Sequence, residues 1–415
     1  MSRGRAANNR TDLGQISNAL GLKLGVVFDR VFRAQSIQFY QLLGVTLFLV
    51  GFGVVMVLSA SSIDSLKSNN NAFSVFGRQF AAAGVSLVLM SIVSLLPMAR
   101  IRTLSFMAAV AALGLQLLVP LIGVSVNGNK NWIAVPLIGN IQPSEFLKVA
   151  TLLLLANYLS SQKDYFYDRS VWIRALVIAL VSMGSVMAGF DLGTVIIMAC
   201  IFLGMMIMAG MPQKLINLLI VAAVMVVPAV LSFGSSSRVG RIMAWLNPSA
   251  PDPNGYNWQS EHGMWALSAG GVFGAGLGES KMKWSWIPEV ENDFIFAIIG
   301  EELGLVGALV VIGLFVALFV FCLNILNRTS DHFSRYVVLG VTLWITLQAF
   351  VNIAVVLRLL PVLGVPLPLI SAGGSSLLST LVGIGLLLAI ERQNHQELQR
   401  SEEHTSELQS HHVIS

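Results

Sequence analysis

Charged residues are scarce in this chain of 415 residues: Asp, Glu, Lys and Arg make up 11% of it, against about 25% in a typical soluble domain. Apolar residues make up 55%, and the mean hydropathy is +0.76. A single water-soluble core does not grow much beyond about 250–300 residues, so this apolar excess has to face lipid. The composition therefore excludes a water-soluble globule and predicts an integral membrane protein.

Cysteine is scarce as well, since the chain has only Cys200 and Cys322, each inside an apolar run. This number excludes a disulfide framework and a cysteine-based zinc site. The net charge is +4, but the basic residues are scattered between apolar stretches and form no continuous face that could follow nucleic-acid phosphates. We therefore expect the membrane, and no nucleic acid, as the chain's environment.

Apolar segments of roughly the 20 residues that a bilayer-spanning helix needs recur along the chain. They predict an all-α polytopic membrane protein with about ten transmembrane helices. Placing both termini in the cytoplasm puts most Lys and Arg of the short loops on that side, as the positive-inside rule requires. The membrane domain is expected at 40–392, with one long external loop, 234–292, between helices 7 and 8. The predicted spans are 40–60, 79–96, 103–124, 143–160, 171–189, 192–210, 213–233, 294–322, 336–357 and 369–390.

Both ends of the chain lie outside the predicted membrane domain. Residues 1–39 form a cytoplasmic extension in which apolar residues recur at helical spacing among basic ones, which predicts an amphipathic helix on the membrane surface. Residues 393–399 are a cytoplasmic tail. Residues 400–415 resemble the translation of a sequencing-library adapter, so this segment is predicted to be non-native.

Acidic residues at the start of the eighth predicted span are the leading candidates for chemistry, because charge beside a membrane span is costly. Asp293 begins this span, and Glu289 precedes it by four residues. Neighbouring carboxylates at a low-dielectric edge suit a group that takes up a proton near neutral pH. Capping of the helix N-terminus is the alternative for Asp293, and the spacing alone favours it. For Glu301 and Glu302, two turns further on, hydrogen bonding to a neighbouring helix is favoured over catalysis.

Three other patterns have both a structural and a functional explanation. Glu145 and Lys148 lie three residues apart on one helix face, so they form either an internal ion pair or a pair that faces a ligand. The glycine-rich segment 270–278 lacks a preceding strand, which favours close backbone packing over nucleotide binding. Ser375, in a Gly-Gly-Ser-Ser run at the tenth span, is expected first as part of a helix cap or kink.

Basic residues flank the long external loop. Arg238 and Arg241 follow the seventh span, and Lys281 and Lys283 precede the eighth beside tryptophans. Cations at an interface suit the diphosphate of a lipid-linked substrate. Anchoring at the membrane surface explains the tryptophans equally well.

Four motifs occur in a fixed order. They are Asn-Gly-Asn-Lys-Asn-Trp-Ile from Asn127, Gln-Pro-Ser-Glu from Gln142, Pro-Glu through Asp-Phe-Ile-Phe and Gly-Glu-Glu-Leu-Gly from Pro288, and Pro-Leu-Pro-Leu-Ile-Ser with Gly-Gly-Ser-Ser from Pro366. Their order, spacing and ten-span topology resemble the SEDS family (shape, elongation, division and sporulation) from about residue 40 to 392.

The resemblance implies a peptidoglycan glycosyltransferase that polymerises lipid II into glycan strands. Asp293 would be the essential acid, which overrides the capping explanation. It would act as general base on the acceptor's 4-hydroxyl in an inverting reaction that forms a β-1,4 linkage and releases polyprenyl diphosphate. Glu289 would tune Asp293 or share in binding. The other expected site residues are Glu145, Lys148 and Glu301 as supporting groups, and Arg238, Arg241, Lys130, Lys281, Lys283 and Ser375 in substrate binding.

The resemblance also implies the protein's partners and its location. A class B penicillin-binding protein would crosslink the product, and other division proteins would join the pair at the septum, with the active site outside the bacterial cytoplasmic membrane. The N-terminal extension and the Leu367–Ser371 ending resemble division members more than elongation members. A divalent cation, Mg²⁺ or Mn²⁺, could help neutralise the leaving group, although the sequence shows no ligand set for it. No organic cofactor is expected.

The sequence departs from the family pattern at two positions. Asn131 stands where many members carry arginine, and Leu363 lies where many division members have a lysine. This chain therefore lacks the cations that those members carry there. Two other functions stay open: a lipid II flippase, because ionisable residues lie within the spans, and a division scaffold without catalysis.

Overall fold

The computed structural model describes residues 35–126, 129–135, 139–233, 236–248, 252, 255–284, 286–288 and 290–413. The chain divides into one unit at Met1–Ile37 and another at Gln38–Ser415. Only residues 35–37 of the first unit are described, so the predicted amphipathic helix lies outside the described residues.

The second unit is mostly α-helical. In chain order the helices are α1 (Ile37–Asn69), α2 (Ser74–Ser94), α3 (Met98–Ile122), α4 (Pro143–Ser161), α5 (Arg169–Met187), α6 (Leu192–Met208), α7 (Gln213–Phe233), α8 (Ser236–Leu246), α9 (Trp258–Gly270), α10 (Ile295–Arg328), α11 (His332–Val356) and α12 (Gly374–Val413). Each predicted span falls on one of α1–α7 or α10–α12. The helical membrane fold is thus confirmed, and α8 and α9 lie within the predicted long loop.

Seven of the described helices are long and apolar enough to cross a membrane: α1, α2, α3, α5, α10, α11 and α12. A regular α-helix satisfies its backbone hydrogen bonds internally, which is what lipid requires of a spanning segment. Helix α6 and residues 213–222 of α7 are apolar but shorter. The chain is therefore a multi-span membrane protein, while the count of ten spans stays a prediction.

Short polar signals set the helix starts. The side chains of Asp168, Asp191 and Asp331 each accept a hydrogen bond from a backbone N–H in the first turn of α5, α6 and α11. These caps satisfy donors that the helix itself leaves unpaired. Pro143 opens α4, where its missing N–H costs no hydrogen bond.

Three short strands lie between α3 and α4, and the sequence reasoning did not predict them. They are β1 (Val124–Val126), β2 (Asn129–Val135) and β3 (Gly139–Ile141), paired antiparallel in the order β1-β2-β3. The available signal was Asn127-Gly128, a dipeptide typical of tight hairpin turns. The Lys130 N–H donates to Gly189 O after α5 (3.2 Å), which packs the sheet on that end of the helix.

Polar contacts join the helix ends at each side of the bundle. On the side called here the site end, Gln79 of α2 donates to Ser371 O (3.2 Å) and accepts from the Gly373 N–H (3.1 Å). At the opposite end, Asn394 donates to the Thr329 hydroxyl (3.0 Å). Helix α12 continues as a helix through Val413, and the adapter origin of its last residues stays a prediction.

Candidate active site

Asp293 lies in the turn directly before α10 and is half-buried. The Asn352 side chain of α11 fixes this turn, because its amide donates to Asp293 O (2.8 Å) and to Val365 O (2.8 Å). The N-cap residue of α10 is Phe294, whose own side chain makes no cap hydrogen bond. Both explanations of Asp293, capping and catalysis, stay predictions, and the sequence reasoning missed Asn352.

The loop between α11 and α12, residues 357–373, passes beside the Asp293 carboxylate. A β-carbon added at Gly364 would lie 3.6 Å from the Asp293 Oδ2 atom. The Ser371 hydroxyl ties the loop to the turn, since it donates to Asn292 O (2.5 Å) and accepts from the Leu367 N–H (2.9 Å). The carboxylate thus lies against a loop whose backbone is held at both ends.

Asp191 is a second carboxylate at the site end, and the sequence reasoning did not select it. It precedes α6, is buried, and accepts hydrogen bonds from the Gln142 amide (3.0 Å) and from the Thr194 N–H and hydroxyl (3.0 and 2.9 Å). Burial raises the pKa of the Asp191 carboxyl, and the hydrogen bonds from Thr194 act in the opposite direction. A β-carbon at Gly193 would lie 2.5 Å from Leu363 O, so α6 packs on the same loop.

Glu145 and Lys148 form the internal ion pair that the sequence offered as one alternative. Their side-chain atoms lie 3.1 Å apart, and both residues are buried. Ser379 of α12 donates to Glu145 (2.9 Å), and Lys148 donates to Gln348 of α11 (3.2 Å). Gln348 in turn donates to Pro366 O (3.0 Å), so the pair is connected to the loop beside Asp293.

Glu301 and Glu302 hold the segment between α9 and α10 against the bundle. Glu301 accepts hydrogen bonds from the Ser280 hydroxyl (2.5 Å) and the Lys281 N–H (2.8 Å). Glu302 accepts from the Ser59 hydroxyl of α1 (2.6 Å) and pairs with Lys283 (3.4 Å). Glu302 thus makes the expected hydrogen bond to a neighbouring helix, whereas Glu301 bonds to the segment before α10.

The glycine-rich segment packs against α10 by backbone contact. Gly304 has a φ of 68° inside α10 and interrupts its helical geometry. The Ala275 and Gly276 N–H groups donate to Glu301 O (2.9 Å) and Glu302 O (3.0 Å). The structure confirms the prediction of close packing.

Replacing Gly274 by alanine is expected to destabilise the protein more than the same change at Gly278. Both have a positive φ, 82° and 83°, which costs an alanine about 1–2 kcal/mol. Only at Gly274 would the β-carbon meet another atom, 2.1 Å from Glu302 O, whereas nothing lies within 4 Å at Gly278. Overpacking should add about 1–3 kcal/mol. Thermal unfolding of both variants in detergent measures the difference, and equal midpoints would contradict the close packing.

The predicted substrate-binding cations have different surroundings. Lys130 donates to Pro120 O in the last turn of α3 (2.6 Å). Lys283 is buried and paired, Lys281 is exposed and Arg241 is half-buried. The Ser375 hydroxyl accepts from the Gln142 N–H (3.1 Å). Binding roles for these residues stay predictions.

The structure does not describe the side chains of two predicted residues. Glu289 lies outside the described residues. Arg238 belongs to α8, but its side chain is not described. Their roles stay predictions.

A metal site was expected only as a possibility. Within the described ranges, no group of three or more His, Cys, Asp or Glu side chains is placed to hold a metal ion. The divalent cation stays a prediction.

Comparison with known proteins identifies the family. Residues 40–396 match the family described as cell cycle proteins, which comprises FtsW, RodA and SpoVE. The chain is 39% identical over 354 residues to the probable peptidoglycan glycosyltransferase FtsW of Mycobacterium tuberculosis, covering 84% of this chain and 67% of the relative. It is 35% identical over 352 residues to the stage V sporulation protein E of Bacillus subtilis, covering 84% and 95%.

Solved structures show the same fold. A chain from a study of how a peptidoglycan synthase complex coordinates polymerization and crosslinking has a TM-score of 0.71 and 25% identity, covering 88% of this chain and all of that one. The rod shape determining protein RodA of Thermus thermophilus has a TM-score of 0.64 and 24% identity, covering 88% and 99%. The chain therefore belongs to the FtsW, RodA and SpoVE family of cell cycle proteins.

Proposed function

We propose that this protein is a peptidoglycan glycosyltransferase that polymerises lipid II for septal wall synthesis. Relatives at 37% and 39% identity carry the name of peptidoglycan glycosyltransferase FtsW. The observation that carries the proposal is the placement of Asp293: a half-buried carboxylate at a helix start, against a loop fixed by Asn352 and Ser371.

In the proposed reaction, Asp293 is the general base. It takes the proton from the 4-hydroxyl of the acceptor's N-acetylglucosamine as this oxygen attacks the anomeric carbon of the donor. The bond to the diphosphate oxygen breaks, polyprenyl diphosphate leaves with the bonding electrons, and the anomeric configuration inverts to give a β-1,4 linkage. A general base must lie within hydrogen-bond reach of the proton that it removes. The two backbone contacts of Asn352 provide the rigidity that such positioning needs.

Basic residues of the external segment would bind the leaving diphosphate. Arg238 and Arg241 lie on α8, and Lys281 is exposed before α10. Charge-assisted hydrogen bonds to phosphate oxygens favour basic side chains in this role. Glu289 would adjust the environment of Asp293.

Replacing Arg238 and Arg241 together by alanine is expected to raise KM for lipid II by more than it lowers kcat, because a diphosphate contact present before and during reaction contributes mainly to binding. Initial polymerisation rates across lipid II concentrations measure both constants. Arg169→Ala is the matched control, since Arg169 is exposed at the start of α5 on the opposite side of the bundle. A fall in kcat at unchanged KM would contradict the binding role.

The site end would face the outside of the bacterial cytoplasmic membrane, with both termini in the cytoplasm. We further propose a class B penicillin-binding protein as partner, since one structural relative comes from a complex that couples polymerization with crosslinking. Other division proteins would join them at the septum.

The flippase alternative is less consistent with the contacts of the ionisable groups. A flippase needs polar groups along its whole path. The buried ionisable side chains Glu145, Lys148, Glu301 and Glu302 instead contact one another or fixed protein groups. These contacts support structural roles within the membrane.

Lipid II polymerisation by the purified chain in detergent micelles, with and without a class B partner, tests the proposal. Micelles have no second leaflet, so translocation cannot produce polymer. Glycan strands that a muramidase degrades are the expected product. The absence of polymer under both conditions would contradict the proposal, and translocation in vesicles without polymer would favour the flippase.

A further inference from the structure

Four aromatic side chains of the external segment form a compact cluster: Trp258, His262 and Trp265 of α9, with Trp286. The His262 ring is buried, and its centroid lies 3.9 Å from that of Trp258, 4.6 Å from Trp265 and 5.8 Å from Trp286. Trp258 and Trp286 are also stacked with each other, with an interplanar angle of 17°. This aromatic cluster is distinct from the residues assigned to the chemistry above.

Each tryptophan of the cluster has a large exposed surface. The exposed fractions are 44% for Trp258, 56% for Trp265 and 50% for Trp286. An indole with one face packed and the other free has about this exposure. The cluster therefore presents flat apolar faces from a rigid support.

Hydrogen bonds fix the orientation of the cluster. The Trp258 indole N–H donates to Trp286 O (2.6 Å), and Gln259 donates to Pro288 O (3.0 Å). The His262 Nδ1 atom lies 2.8 Å from Trp258 O, a carbonyl that can only accept. The two segments that carry the rings are thus held together, and little side-chain entropy remains to be lost on binding.

The cluster lies next to the turn that carries Asp293. A β-carbon at Gly263, adjacent to His262, would lie 3.0 Å from the ring of Phe294, the residue after Asp293. At the other end of α9, a β-carbon at Gly270 would lie 1.9 Å from Gly300 O. Helix α9 therefore runs parallel to α10, and Trp258 lies about 7.5 Å before Gly263 along the helix, beyond the start of α10 and away from the bundle.

Charged groups accompany the aromatic faces. Glu261, on the same turn of α9, forms an ion pair with Arg358 (3.7 Å), and both side chains are partly exposed. Arg358 has a φ of 59°, and its carbonyl accepts from the Trp245 indole (3.0 Å). A carboxylate and a guanidinium beside exposed rings offer hydrogen bonds to hydroxyl and amide groups.

We propose that this aromatic cluster is a carbohydrate-binding platform for the glycan strand next to Asp293. The C–H groups on one face of a pyranose carry partial positive charge and pack on the electron-rich face of an indole. Glu261 and Arg358 would bind the sugar's polar edge. The platform rests on the proposed function, because it gives that reaction a binding site for the glycan itself, separate from the diphosphate.

Anchoring in the membrane interface is the competing explanation for these tryptophans. An anchoring indole turns its N–H towards the lipid headgroups, whereas the Trp258 N–H is bonded within the cluster. The exposed Glu261 carboxylate also disfavours burial in lipid. The cluster also lies next to the turn that carries Asp293, which favours the glycan over lipid as its ligand.

Binding of a lipid-free peptidoglycan tetrasaccharide to the full-length protein in micelles tests the platform, with calorimetry as the readout. Replacing both Trp258 and Trp286 by alanine is expected to weaken binding at least tenfold. Replacing both by phenylalanine should preserve most of it, because the stacking faces remain. Trp284→Ala is the matched control, since Trp284 is 58% exposed but lies outside the cluster.

Tetrasaccharide binding that is absent in the wild type, or equal in the double alanine variant, would overturn the platform. Quenching of the cluster's fluorescence by lipid-attached quenchers in vesicles would overturn it as well, in favour of membrane anchoring. The result is separable from the proposed reaction. If the wild type polymerises lipid II but the double alanine variant binds glycan as well as the wild type does, only the platform is refuted. If the wild type binds glycan but does not polymerise lipid II, only the reaction is refuted.

Discussion

Replacing Lys148 by methionine is expected to destabilise the protein by about 3–5 kcal/mol, because it leaves the buried Glu145 carboxylate without its cation. Lys148 also lies over the Trp344 ring, 4.5 Å from the centroid, and donates to Gln348. Its loss therefore affects α4 and α11 together. Thermal unfolding in detergent, followed by tryptophan fluorescence, measures the effect.

Two comparison variants separate the ion pair from a general effect of losing a lysine. Lys163→Met changes an exposed lysine and should shift stability by no more than about 0.5 kcal/mol. The double variant Glu145→Gln with Lys148→Met removes both charges and should recover most of the loss. A double variant as unstable as Lys148→Met would contradict this account of the pair.

Loss of the ion pair should also lower activity under conditions where the variant remains folded. Gln348 connects Lys148 to Pro366 O, and Asn352, one turn further along α11, holds Val365 O and Asp293 O. One face of α11 thus supports the loop on which the Asp293 site depends. The pair is remote from the chemistry but contributes to its geometry.

The membrane fold could be predicted from the sequence because lipid imposes a simple rule on length and hydropathy. The predicted start at 143 and the end at 233 agree with the observed helices to the residue. The last predicted span began five residues too early, at 369, because Leu369 and Ile370 are apolar but belong to the loop before α12. Hydropathy does not distinguish a buried loop from a buried helix.

The candidate site was only partly predictable. Asp293 could be selected because an acid at a membrane edge is costly. Asn352 and Asp191 could not, since an amide within α11 and an acid before an apolar run have ordinary structural explanations. Contacts between elements far apart in sequence give Asn352 its role, and no local pattern contains that information.

Replacing Asp293 by asparagine is expected to abolish detectable glycan synthesis. Asparagine keeps the size and one oxygen of the side chain but cannot take up the proton from the acceptor hydroxyl. General-base catalysis contributes about 10²–10⁴-fold to rate, so kcat should fall by this factor. KM for lipid II should change little, because the diphosphate contacts remain.

Glu279→Gln provides the matched control for this change. Glu279 is an exposed acid in the segment between α9 and α10, and the substitution removes the same charge. Its polymerisation rate should stay close to that of the wild type. If both variants lost polymerisation rate equally, the effect would come from the change in net charge and not from the loss of a general base.

The most direct measurement of the central claim is the size distribution of glycan made from purified lipid II by equal amounts of folded wild-type and Asp293→Asn protein, each with the same class B partner. The wild type should produce long muramidase-sensitive strands, and the variant should leave lipid II unconsumed. Strands of normal length and amount from Asp293→Asn would contradict the proposed mechanism.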